Sequence, residues 1–249
     1  LNGKRHGPSL QWYENGKLWK KSCFREGKLH GSYEWWYENG RKSIVGTYKN
    51  GKEQGVYTEW HENGKKALQT KYINGIPDGR YREWHENGKK RIRITFRDGK
   101  ENGVWTQWYE NGKKYVEQEY KDGKRHGLMF SWYDTGSKKE QKYYTMDIIN
   151  GVHLQWHENG QKKLEGNYIN GKYDGIWTQW FANGQKFIEG KYNEDMLISF
   201  WKQWYKNGEI FSSGVYLDSK QVGDWVYFSP NNTDSSKITF KDGKPFDGV

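Results

Sequence analysis

One feature constrains this chain more than any other: it repeats itself every 24 residues. Glu-Asn-Gly stands at 14–16, 38–40, 62–64, 86–88, 110–112 and 158–160, with degenerate copies at Asp134-Thr135-Gly136, Ala182-Asn183-Gly184 and Lys206-Asn207-Gly208. A second turn shares the period at Asn2-Gly3, Glu26-Gly27, Asn50-Gly51, Asn74-Gly75, Asp98-Gly99, Asp122-Gly123, Asn170-Gly171 and Asp242-Gly243. A third glycine column runs from Gly7 through Gly31, Gly55 and onward to Gly175, skips Ser199 and resumes at Gly223. About ten copies fill residues 1–249, which read as one repeat domain. A unit this short buries its apolar side only against its neighbours.

Asn-Gly and Asp-Gly between aromatic-rich runs signal hairpins, because glycine enters positive φ without a steric penalty. Each repeat is expected to be two strands and two turns. The fold class that follows is all-β, an elongated, twisted, single-layer antiparallel meander of hairpins. Glu-Asn-Gly suits a three-residue loop, which pairs residues of like parity and puts alternate residues of both strands on one face. On that rule Val56, Thr58, Trp60, Lys66, Leu68, Thr70 and Tyr72 share the core face. Its columns are Trp12, Trp36, Trp60 and onward to Trp204, and Phe24, Tyr48, Tyr72 and onward to Phe240. Gly46, Gly166, Gly190 and Gly214 leave room for rings. The opposite parity carries two further ring columns and is expected to be wetter.

Only 33% of residues are hydrophobic and mean hydropathy is −1.21, the profile of a disordered chain. The 15 Trp and 19 Tyr argue otherwise, since each ring buries a large area even in a thin sheet. A conventional enzyme core is disfavoured, and no stretch approaches the ~20 apolar residues of a membrane helix. Cys23 is the single cysteine, so no internal disulfide framework exists. The chain begins at Leu1 without Met, so either a leader was removed or it starts inside a longer protein. The compartment is left open, with the cytoplasm ahead of a cell surface. A net charge of +10 favours anionic partners.

The repeated Tyr/His-Glu-Asn-Gly-Lys-Lys and the following Tyr-x-Asn/Asp-Gly-Lys-x-x-Gly resemble the MORN repeat, in particular its bacterial variant, over essentially the whole chain. The resemblance implies an elongated sheet of hairpins without catalysis, a scaffold for protein contact, and in some members association with anionic lipid. Many relatives of the variant are labelled antitoxins of toxin–antitoxin systems, which implies a protein that binds and occludes a toxin. The sequence departs from the pattern around 193–199 and 229–236. Decayed repeats of this kind read as caps, although the apolar Met196-Leu197-Ile198 turn could equally be a contact site.

No cofactor, metal or catalytic site is expected. His153 and His157 share a strand face but lie ~13 Å apart, too far to converge on one ion. The turn glutamates recur in most repeats, whereas acid–base chemistry needs one special pair. The wetter face is the candidate partner-binding surface: Tyr33, Tyr57, Tyr81, Trp105, Trp177 and Trp201 in one column, Tyr37, His61, His85, Tyr109, Phe181 and Tyr205 in the other. Such rings serve as protein hot spots or stack on sugars, or else only thicken the sheet. A row of lysines (Lys42, Lys66, Lys90, Lys114, Lys138, Lys162, Lys186) either attracts phosphates and acidic lipids or merely keeps the surface soluble. The leading partner is a protein, a toxin among the options; the alternative is an anionic lipid or a glycan. Nucleic acid is not expected, and the open sheet ends allow end-to-end self-association.

Overall fold

The computed structural model describes residues 3–231 and 233–246. Asn2 of the first Asn-Gly pair and Asn232 of the degenerate 229–236 turn lie outside the described residues. Twenty-four short strands and no helix make up the described chain, in one open antiparallel sheet wound as a meander. The chain divides into two compact units, residues 1–124 and 125–249.

Each repeat is an incoming and an outgoing strand, as in Lys28–Trp36 and Lys42–Lys49. The loop between them is the expected one. Gly40 N–H donates to Tyr37 O (2.8 Å), Tyr37 N–H donates to Arg41 O (2.8 Å), and Gly40 has φ +90°. This is a type I turn closed by a left-handed glycine. Asn39 completes it by accepting from Arg41 N–H (2.9 Å).

The two-residue turns hold both central residues at positive φ, 54° at Asn50 and 82° at Gly51, as a type I′ turn requires. Three of them lack the glycine and keep the conformation. Asp147, Asp195 and Ser219 take φ 72°, 74° and 64°. Their side chains accept from the backbone N–H of Arg125 (3.0 Å), Tyr173 (2.8 Å) and Leu197 (3.0 Å). The bond offsets the strain of the left-handed region, where polar side chains are tolerated best. Ser199 likewise fills the third glycine column at φ 64°. Met196, Leu197 and Ile198 are therefore strand residues within Met196–Trp204, not a turn.

The like-parity expectation fails one residue beyond the loop. Trp36 pairs with Lys42, but Trp35 pairs with Ile44, so Ser43 bulges out. The same bulge recurs at Ala67, Arg91, Tyr115, Lys139, Lys163, Phe187 and Phe211. One extra residue moves everything after it to the opposite face. The tips obey the expected rule, with Trp60 and Lys66 side by side. Past the bulge, Leu68, Thr70 and Tyr72 instead share a face with Tyr57 and Glu59. The last hairpin reaches the same register differently. Phe228 pairs directly with Ser235 and no bulge follows, because its 229–234 loop contains the extra residue.

The core face is consequently the one expected to be wetter. Tyr33, Trp177, Trp201 and Trp225 are buried, whereas Trp36 and its repeats to Trp204 are half-buried and Trp12, in the first hairpin, is 57% exposed. In residues 125–249 the rings run His153, Tyr168, Trp177, Tyr192, Trp201, Tyr216, Trp225, with centroids 5.1–6.2 Å apart and mostly edge-to-face. Gly166, Gly190 and Gly214 lie beneath Trp177, Trp201 and Trp225, and a Cβ at any of them would stand inside the indole. In residues 1–124 the rings form pairs, Tyr33–Tyr48, Tyr57–Tyr72 and Tyr81–Phe96, at 5.0–5.8 Å.

Candidate interaction surfaces

The candidate columns divide by what they do for the fold. Tyr33, Trp177 and Trp201 are buried core, while Tyr57, Tyr81 and Trp105 are half-buried beside it. Tyr57 donates its hydroxyl to Glu59 (2.8 Å) and Tyr81 donates to Glu83. Burial first, then the bond to and charge of the adjacent glutamate, push both phenols above their ordinary range.

The second column is a ladder between hairpins. Tyr37 donates to the Trp60 carbonyl (2.6 Å), His61 Nε2 to that of Trp84 (2.8 Å), His85 Nε2 to that of Trp108 (3.0 Å), and Tyr205 to that of Phe228 (2.8 Å). A carbonyl only accepts, so the histidines carry their proton on Nε2. Tyr and His interchange because both place a donor at that reach. Phe181 has no such donor and packs on Phe187 at 4.9 Å; Tyr109 packs on Tyr115, also at 4.9 Å. The sequence pattern shows the column but not the carbonyl that each ring reaches, one repeat further on.

The Asn-Gly-Lys signature belongs to the same scaffold. Asn63 Nδ2 donates to Glu86 O (2.7 Å), and Lys65 Nζ donates to Asn87 O (2.8 Å). The lysine row is partly occupied as well. Lys66, Lys90, Lys138, Lys162 and Lys186 lie 5.3–6.0 Å over Trp84, Trp108, Trp156, Trp180 and Trp204. This alternation of indole and ammonium covers the half-buried Trp column.

His153 and His157 do not converge. His157 Nε2 donates to Trp180 O (2.8 Å), whereas buried His153 contacts Glu140 through Nε2 (2.9 Å). Glu140 replaces the aliphatic residue of its column and also accepts from Lys142 and Gln155. Burial works to raise its carboxyl, but the three bonds and the Lys142 charge outweigh it and hold the group at about 2. No cluster of His, Cys, Asp or Glu suited to a metal occurs among the described residues.

Two surface features escaped the ring columns. In residues 125–249 an apolar row faces solvent, Leu128, Val152, Ile176 and Phe200, the last two 64% and 50% exposed. Its members recur one repeat apart, and Leu128 and Phe200 pair with exposed Tyr143 and Val215. The second feature is charge. Residues 1–124 hold 26 Lys and Arg against 16 Asp and Glu, whereas residues 125–249 hold 15 of each. Both are visible once residues are compared column by column and half by half.

A family model described as MORN repeat variant matches residues 5–26, 29–50, 53–74, 77–98, 101–122, 125–145, 149–170 and 173–194. The same hairpin pairing continues beyond the last match, to Pro245. No curated protein matches the chain. Among solved structures, one titled "Crystal Structure of TcdB2-TccC3" aligns over 97% of this chain at 9% identity and a TM-score of 0.22; the chain spans 16% of that chain's length. With eight consecutive matches across most of its length, this chain belongs to the MORN repeat variant family, and it is a repeat scaffold.

Proposed function

We propose that the chain is a non-enzymatic scaffold that binds a protein partner through the exposed face of residues 125–249. The apolar row of Leu128, Val152, Ile176 and Phe200 carries this reading. Asn167 and Lys191 lie opposite Val152 and Ile176, so the row is a line of apolar anchors at repeat spacing rather than a continuous band. Exposed apolar side chains grouped on one face mark an interaction site. The strands beneath it hold the residues at fixed spacing, so little ordering cost accompanies docking. Half-buried rings of the other face, Trp105, Tyr109, Phe181 and Tyr205 among them, still offer an edge to a partner. Occlusion of a toxin, as an antitoxin does, is the finer form of this reading. The test is the pair Ile176→Asp and Phe200→Asp, both at exposed positions. A partner co-purified from the host with the wild type should be lost from both variants while their unfolding curves stay put. Retention of the same partner by both variants contradicts the reading.

A second reading is favoured by the charge of residues 1–124, which suits an acidic lipid surface. Flotation with acidic vesicles that disappears at high salt would support it.

A further inference from the structure

Three arginines in residues 1–124 share one face of a single hairpin. Gly79–Trp84 and Lys90–Arg97 pair antiparallel, with Arg82 directly opposite Arg93 and Arg80 two residues before Arg82 on the same face. Like charges directly opposite across strands oppose folding. Cations also face each other beside the two-residue turns, as at Arg25 and Lys28 or Lys49 and Lys52, but among the described residues no other hairpin opposes two like charges at these mid-strand positions. The same two positions hold Leu10 and Lys21, Thr58 and Gln69, Thr106 and Glu117, and Thr178 and Glu189. Arg80 is equally out of place, since its column holds Val56 and Val104 on either side.

Nearby carboxylates are engaged elsewhere. Glu83 faces Arg91 (3.3 Å) and the Tyr81 hydroxyl, Glu59 accepts from Tyr57, and Glu117 pairs with Lys114 (2.6 Å). Arg80, Arg82 and Arg93 make no ion pair among the described residues, and Arg93 lies over the Trp108 ring at 5.9 Å. The three line one hollow of about 390 Å³ with Thr95 and Val104. A second hollow of about 300 Å³ extends from Arg80 and Arg82 to Gln69 and Lys71.

We infer that this arginine-lined hollow is a binding site for a phosphate monoester. Several guanidinium forks around one hollow call for an anion with more than one charge and several acceptor oxygens. A phosphate monoester brings a charge of about −1.5 to −2 and three such oxygens, whereas a carboxylate brings one charge and two. Arginine at all three positions fits the planar, bidentate recognition that lysine does not supply. The site does not rest on the protein contact proposed above, whose residues belong to the other half of the chain.

The test uses the full chain and two probes, glycerol 2-phosphate at matched ionic strength and phosphatidylcholine vesicles with or without phosphatidic acid. Glycerol 2-phosphate should raise the Tm of the wild type, since a ligand of the folded state stabilises it. The double variant Arg82→Gln/Arg93→Gln should lose that response and bind about tenfold or more weakly. Its Tm without ligand should equal or exceed that of the wild type, because the opposed charges are gone. Ile176→Asp should leave the response intact. Binding to phosphatidic acid vesicles far tighter than to the soluble ester, with the same arginine dependence, would assign the phosphate to a lipid; equal affinity would assign it to a soluble ester. The inference is overturned if neither probe binds, if the double variant binds as tightly as the wild type, or if its ligand-free Tm falls.

Discussion

Residues 1–124 and 125–249 build the same hairpin from different chemistry. In the second half, Trp177, Trp201 and Trp225 lie over glycines and join the rings into one continuous run. In the first half the same column holds Tyr33, Tyr57 and Tyr81, with Ser22, Gly46 and Thr70 at the glycine position, and two of these tyrosines hydrogen-bond to glutamates beside the core. Ring size and the residue beneath it are coupled. Where Ile94 fills the glycine position and is itself buried, Trp105 of the same column is only half-buried. One periodic backbone thus carries either an apolar indole layer or a hydrogen-bonded phenol layer.

That contrast can be broken at several points. Trp201→Ala removes a buried indole and should cost about 3–5 kcal/mol; Tyr57→Ala, at a half-buried ring, should cost less. Urea unfolding of each variant measures both, and equal losses would erase the distinction. Gly190→Ala should cost about 1–3 kcal/mol, because the added methyl displaces the Trp201 ring. At Gly46 the nearest ring atom is Tyr57 Cδ2, 2.9 Å from an added Cβ, and a tyrosine held at one side gives way more easily. Gly46→Ala should therefore cost less than Gly190→Ala by the same assay.

Acid separates the halves in another way. Glu140 is held at about 2, below its ordinary 4.5. A lowered carboxyl gives stability that is fully present above its unfolded value and lost as pH falls toward its folded one. Circular dichroism between pH 5 and 2 should show the wild type losing stability that Glu140→Gln, already without the charge, does not lose over that window. The smallest effect is at a hydroxyl. Tyr57→Phe frees Glu59 of a donor and should cost about 0.5–1.5 kcal/mol. Tyr192→Phe should cost less, as the Tyr192 hydroxyl makes no hydrogen bond among the described residues. Equal costs from the two would remove the phenol–glutamate layer from the account.

Much of this was legible in the sequence. The repeat period, the positions of both turns and the glycines reserved for rings follow from spacing and from the steric freedom of Asn-Gly. The face that becomes the core did not follow, because a bulge leaves no mark of its own. Ser43, Ala67, Arg91 and Lys163 share no chemistry, yet each shifts the register by one. The loop rule was right at the tip and wrong beyond it. The ring candidates were affected in the same way. Periodicity located Tyr37 and His61, but their carbonyl partners lie 23 residues away in sequence and depend on how hairpins stack. Arg80, Arg82 and Arg93 were readable as exceptions to their columns, a signal opposite in kind to the repetition that defines the rest.

The bulged register is the claim on which the faces depend. Hydroxyl-radical footprinting with residue-resolved mass spectrometry tests it on the unmodified protein. The account predicts slow oxidation at Trp177, Trp201 and Trp225, with faster oxidation at Trp12, Ile176 and Phe200. Protection of Ile176 and Phe200 together with rapid oxidation of Trp177 and Trp201 would mean that the strands pair without the bulge, and would contradict it.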